Sequence, residues 1–228
     1  MSQTERVDAQ YYQAVPAGSL AERVMVAARD RIYEDFLRLA RPGAADRILD
    51  VGVSDVVTDA ANLLERLYPH PERITALGLG QGQSFRAAFP AIAYRQIEPH
   101  APLPFPGGAF DIACSNAVVE HLGAPERQRA FVAELARVAR RAFITVPNRF
   151  FPVEHHTALP LAHWTGPTFR TACRLKGVSE WADPDNLILM SRARLAALAP
   201  PDRRARIGYT GFNLGPFSSN LYLLLTAD

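Results

Sequence analysis

The chain has 228 residues, 48% of them hydrophobic, and a formal net charge of +2, which is material for one sizeable core with some elaboration. Lys176 is the only lysine and the arginines are dispersed rather than gathered into a stripe, so the composition argues against a nucleic-acid partner. Cys114 and Cys173 are too few for a disulfide framework, and without a run of about 18 apolar residues or a basic leader neither a membrane span nor a signal peptide is expected. Both thiols read as small buried hydrophobes in a reducing, cytoplasmic compartment. The Arg- and Ala-heavy usage suggests a GC-rich bacterial source.

Residues 1–18, polar and small with Pro16 and Gly18, read as a tail or lid, with Tyr11 and Tyr12 as its docking aromatics. A helix is expected after Ser19: Ser19 and Glu22 fit a capping box, and Val24, Ala27, Ala28, Ile32, Phe36 and Leu39 recur at helical spacing until Pro42 and Gly43. Apolar runs at Arg47–Gly52, Arg73–Gly78, Ala91–Ile97, Phe110–Ser115 and Ala142–Val146 read as strands. A helix from about Pro125 to Arg140 turns Phe131, Leu135 and Val138 toward a sheet. Residues 148–190 form a Pro-, His- and aromatic-rich segment, followed by a short helix at Ser191–Ala199 and strands at Arg204–Tyr209 and Asn220–Thr226. Strands alternating with helices imply an α/β, doubly wound, Rossmann-like sheet with parallel pairing. The chain is expected to be one domain, 1–228, with a tail and helix over 1–44 and a substrate cap over 148–190.

In such a sheet, ligands bind outside the carboxyl ends of the strands, where strand order reverses. The first strand ends in Asp50-Val-Gly52-Val53-Ser54, where Gly52 permits a tight turn and Asp50 is placed to orient a ligand's ammonium group. Gly78, Gly80 and Gly82 follow the second strand, with Glu98 about twenty residues on, which leaves a dinucleotide (NAD) reading open. Glu154, His155, His156 and His163 are potential metal ligands by type, but no H-E-x-x-H spacing supports them and no metal site is expected. His121 is either a loop-fastening residue or a general base, since imidazole titrates near neutrality.

The segments ILDVG at 48–52, LPFPGGAFDIACSNAVVEHL at 103–122 and VPNRFFPVEHH at 146–156 resemble the class I methyltransferases, in particular the bacterial branch called methyltransferase type 11. The likeness covers roughly residues 45–165. It implies a seven-stranded sheet whose last strand is antiparallel, and S-adenosylmethionine lying across the ends of the first four strands. Around that cofactor it places Asp50, Gly52, Val53, Ser54, Leu77, Gly78, Glu98, Ser115 and Asn116. His121, with His155 or His156, then faces a small-molecule acceptor, expected to be a hydroxyl or other nucleophile on a flat or hydrophobic metabolite beneath Phe150, Phe151, Trp164, Phe169 and Trp181. The sequence departs from the family at two points. Gly52 stands alone where two or three glycines are usual, and Gly78 replaces the acid that holds the ribose, leaving Gln81 or Gln83 as substitutes. These departures motivate a second reading, a catalytically inactive binding or scaffold subunit.

Overall fold

In the computed structural model, residues 20–57 and 61–227 are described. The tail with Tyr11 and Tyr12, and the Ser19–Glu22 cap, lie outside the described residues and side chains. Seven strands, β1 (Ile48–Val51), β2 (Ile74–Gly78), β3 (Ala93–Gln96), β4 (Phe110–Asn116), β5 (Ala139–Pro147), β6 (Arg204–Leu214) and β7 (Phe217–Thr226), form one sheet in the order β3-β2-β1-β4-β5-β7-β6. β1 to β5 pair in parallel, whereas β7 runs antiparallel to both β5 and β6. This is the α/β Rossmann-like sheet with an antiparallel last strand that the sequence implies.

The central strands are apolar almost throughout because both faces of the sheet are covered. On one face, Ile32, Phe36 and Ala40 of α1 (Leu20–Ala40) pack with Leu64 of α2 (Leu63–Leu67), Phe85 of α3 (Gln83–Ala88), Phe143 and Tyr222. On the other, Val132, Leu135, Ala136 and Val138 of α4 (Pro125–Val138) pack against Leu49, Ala113, Ile144 and Leu223. The C-terminal carbonyls of α1, which have no intrahelical donors, are held by Arg141: its Nη1 donates to Ala40 O and Arg41 O, and its Nη2 pairs with Asp46 at 2.6 Å.

Three expectations about elements are corrected. The helix ends at Val138 rather than Arg140, because Ala139 is already extended and pairs with Phe110 as the first residue of β5. β6 and β7 reach beyond Tyr209 and begin before Asn220. They meet in a hairpin with an irregularity between Thr210 and Asn213, and the buried Ser218, Ser219 and Asn220 are sheltered there by hydrogen bonds from Asn148 and within the hairpin. Segment 148–190, for which the sequence suggests no particular element, contains α5 (Gly166–Lys176). Thr165 caps that helix by accepting from Thr168 N, and Gly177 ends it at φ 75°. Phe169, Cys173, Trp181 and Leu187 make a satellite core inside this segment. A short helix α6 (Arg192–Ala196) leads into β6.

Candidate functional site

Strand order reverses between β1 and β4, and a cleft opens at their carboxyl ends. Asp50, Gly52, Val53, Ser115 and Asn116 line it, as do Ile32, Tyr33 and Phe36 of α1 and Asn62 and Glu65 at α2. Gly52 sits at φ 100°, and a Cβ there would lie 2.2 Å from Val118 Cγ2. The amides of Gly52 and Val53 both donate to Leu77 O, at 2.8 and 3.0 Å. A single glycine therefore suffices for this turn, because only residue 52 must both adopt positive φ and pass under the turn that follows β4.

The remaining predicted cofactor residues have mixed placements. Ser115 Oγ donates to Val51 O at 2.9 Å, and Asn116 Oδ1 accepts from Thr145 Oγ1, so both side chains fix strand ends while bordering the cleft. Ser54 is buried, accepts from Val56 N at 3.0 Å, and is bonded through its carbonyl to Asn62 Nδ2; it fastens the loop. Leu77 points into the core. Gly78 is closed off, since a Cβ there would meet Tyr94 Oη at 2.5 Å and Val53 O at 2.9 Å. Glu98 is exposed and does not border the cleft, and Gln81 and Gln83 are exposed as well.

The dinucleotide reading of Gly78, Gly80 and Gly82 is corrected by the same tyrosine. Tyr94 Oη donates to Gly80 O at 2.7 Å, and its ring occupies the space over Gly82, where a Cβ would come within 2.3 Å. The glycines make room for an aromatic ring, not for a pyrophosphate.

Glu65 escapes a reading based on family motifs. It is buried beside Asp50, and neither carboxylate oxygen has a hydrogen-bond partner. Burial raises both carboxyls, and the charge of Asp50 raises Glu65 further. The signal was an acid inside the apolar run Asn62-Leu-Leu-Glu65, where it cannot reach solvent without turning the helix. A buried and a partly buried acid side by side at the mouth of a cleft suit a cationic ligand.

A second constellation forms where the turn after β4 meets segment 148–190. Residues Val119–His121 make one short helical turn, which puts Glu120 in the interior at 1% exposure with both carboxylate oxygens unpartnered. His121 Nδ1 lies 2.8 Å from Asn186 O, and its Nε2 lies 3.2 Å from His156 Nε2. His156 Nδ1 lies 2.9 Å from Glu154 Oε1, while Glu154 Oε2 accepts from His156 N, Thr157 N and Thr157 Oγ1 at 3.0, 2.6 and 2.7 Å. Trp181 stacks on the His156 ring, with centroids 4.7 Å apart. Burial alone would raise the Glu154 carboxyl, but the hydrogen bonds and charge of His156 hold it at about 2. Burial, then the charge of His156, depresses His121 to about 4; burial lifts Glu120 to about 7.

Of the three predicted acceptor-side histidines, His121 and His156 thus meet. His155 turns the other way, edge-on to Phe151 at 5.7 Å, beside a small cavity shared with Glu120, Glu154 and Asn148. Neither His121 nor His156 borders the main cleft; they sit behind the turn that covers Gly52. His163 Nε2 donates to Phe151 O, 2.8 Å away, and is structural. Among the expected cap aromatics, Phe151, Phe169 and Trp181 are buried packing, whereas Phe150 and Trp164 are exposed. Among the described residues no helix is long and apolar enough to cross a membrane.

Residues 49–142 match the family described as methyltransferase domain. No curated protein matches the chain in sequence. Similar solved structures include the N-methyltransferase NodS from Bradyrhizobium japonicum WM9 in complex with S-adenosyl-L-homocysteine (11% identity, TM-score 0.58, covering 98% of this chain and 97% of that one). Magnesium protoporphyrin IX methyltransferase from Synechocystis PCC 6803 with bound S-adenosylhomocysteine is similar at 13% identity and TM-score 0.56, over 98% and 93% of the two chains. The PH0226 protein from Pyrococcus horikoshii OT3 is similar at 10% identity and TM-score 0.61, over the whole of both chains. At these identities the likeness is one of fold.

Proposed function

Because residues 49–142 match the methyltransferase domain family and the sheet has the class I order, we propose that the chain binds S-adenosylmethionine in the cleft between β1 and β4 and transfers its methyl group to a small-molecule acceptor. The observation that carries this reading is the Asp50–Glu65 pair. Two carboxyls, Glu65 buried with both oxygens unpartnered and Asp50 partly buried, border a cleft at the strand-order reversal, and a ligand with an ammonium and a sulfonium supplies positive charge beside them. The residues present therefore fit the cofactor.

When bound, S-adenosylmethionine supplies an electrophilic methyl on a good leaving group. The chain's own contribution is to position. Gly52 lets the first loop pass close to the ligand, Ser115 and Thr145 fix the end of β4, and Ile32, Tyr33 and Phe36 close the apolar side of the cleft. Holding an acceptor's nucleophile in line can supply about 7–11 kcal/mol of barrier lowering without an acid or base. On this reading the acceptor approaches from the side of segment 148–190, where exposed Phe150 and Trp164 suit a flat or hydrophobic molecule bearing a hydroxyl or similar nucleophile.

Calorimetric titration with S-adenosylmethionine and with S-adenosylhomocysteine tests the reading. Micromolar binding of both, with Asp50→Asn weakening S-adenosylmethionine by about tenfold or more, supports it. Absence of binding by the folded wild-type protein overturns it and leaves the scaffold reading.

A further inference from the structure

The geometry points to a divalent transition-metal site of the zinc type formed by Glu120, His121 and His156, which goes beyond methyl transfer and does not depend on it. The ligand atoms of these three residues lie within 4.8 Å of one another.

The tautomers carry the argument. His121 Nδ1 faces the Asn186 carbonyl, which can only accept, so that nitrogen bears the proton. His156 Nδ1 faces the Glu154 carboxylate, which also accepts. The two Nε2 atoms then face each other across 3.2 Å. Two imidazole nitrogens at this separation are reconciled either by a proton carried between them or by a cation that both ligate. A shared proton leaves the two oxygens of Glu120 buried and without a hydrogen-bond partner, an arrangement that buried polar groups avoid. A divalent ion satisfies all three groups together.

The spacing agrees. Two imidazole nitrogens at roughly 2.0–2.1 Å from a tetrahedral zinc are about 3.3 Å apart, close to the separation found. Metal-bound histidines characteristically donate their other N–H to a carboxylate or a backbone carbonyl, which fixes the ring and raises its basicity. Glu154 does this for His156 and the Asn186 carbonyl does it for His121. Trp181 stacked on His156 keeps that ring from turning away. Two imidazoles and one carboxylate select zinc, cobalt, nickel or iron over magnesium or calcium, which take oxygen donors. Three protein ligands leave a fourth position for a water or for an oxygen or nitrogen of a small ligand. The ligand set differs from the one considered on sequence, Glu154, His155, His156 and His163, because Glu120 and His121 come from a different strand end.

The test uses the full-length protein stripped of metal by a chelator and dialysed, then titrated with Co2+ and with Zn2+. One equivalent of Co2+ with visible absorption bands of a four- or five-coordinate ion, displaced by one equivalent of Zn2+, is expected. X-ray absorption of the zinc-loaded wild type should show two imidazole nitrogens at about 2.0 Å. His156→Gln should lose the bands, and Glu154→Gln should weaken binding by about 10–100-fold through the outer hydrogen bond, both with near-ultraviolet circular dichroism unchanged. Failure of the folded wild type to bind either ion, or zinc absorption without two imidazoles, overturns the site whatever the variants do.

Discussion

Gly52 shows how much one position can be asked to do. At φ 100°, with 2.2 Å between a built Cβ and Val118 Cγ2, alanine there meets both backbone strain and a clash. Gly52→Ala is expected to cost about 1–3 kcal/mol from the backbone alone, read as a lower midpoint in chemical denaturation. Adding Val118→Ala removes the clash but not the strain, so the double variant should recover part of the loss and no more; full recovery would mean that φ is relaxed. This residue was legible in the sequence, because a glycine after a strand ending in Asp50 invites that reading. Glu98 and Gly78 were not, because the placing of Glu98 depends on register and that of Gly78 on Tyr94, a distant residue of the next strand whose ring fills the space beside Gly78 and Gly82. Glu65 escaped for a related reason: an acid in a short helix reads as solvated until the fold shows Asp50 beside it.

At the scale of elements, α2 exists to bring Glu65 to the end of β1, and that placement has a pH signature. The folded-state pKa values of Asp50 and Glu65 are raised above the unfolded range near 4. The native state therefore holds more protons than the unfolded state above that range. Stability is full below about pH 4 on this account and declines as pH rises through the folded-state values. Glu65→Gln removes half of the pair and should flatten the decline between acid and neutral pH, followed by urea denaturation at several pH values; an unchanged slope would assign it to other groups. A cationic ligand favours the ionised pair, so its binding should release protons. Calorimetry of S-adenosylmethionine in two buffers of different ionisation enthalpy measures that release directly. S-adenosylhomocysteine, lacking the sulfonium charge, should release fewer.

Most elements of the sheet were readable, because strands covered on both faces must be apolar from end to end and α4 must present one stripe. The elements that escaped do not follow those patterns. α5 belongs to a satellite core too small to impose a long apolar stripe, although Thr165, Pro167 and Gly177 mark its two ends. The start of β7 hides among Ser218, Ser219 and Asn220, polar residues that are buried because hairpin and β5-end groups bond them. The His121–His156 meeting was hidden too: the two residues lie 35 positions apart, and only the docking of segment 148–190 beside β4 joins them.

Across the molecule, α1 couples the far edge of the sheet to the cleft. Its Asp35, 8% exposed, accepts from Thr210 Oγ1 of β6 at 2.6 Å and pairs with Arg38 at 2.6 Å, while Ile32, Tyr33 and Phe36 of the same stretch of helix line the cleft. Thr210→Val keeps the shape of β6 and removes one donor from a buried carboxylate, at an expected cost of about 1–3 kcal/mol. Because the same helix walls the cleft, the loss should appear twice, as a lower melting temperature and as weaker S-adenosylmethionine binding, although residue 210 itself does not border the cleft. Saturating ligand stabilises the native state by mass action, so it should raise the melting temperature of the variant by less than it raises that of the wild type at equal concentration. Equal shifts would mean that α1 is held firmly enough by Ile32, Phe36 and the Arg141 clamp that its contact with β6 is local, and that the cleft is insulated from that edge of the sheet.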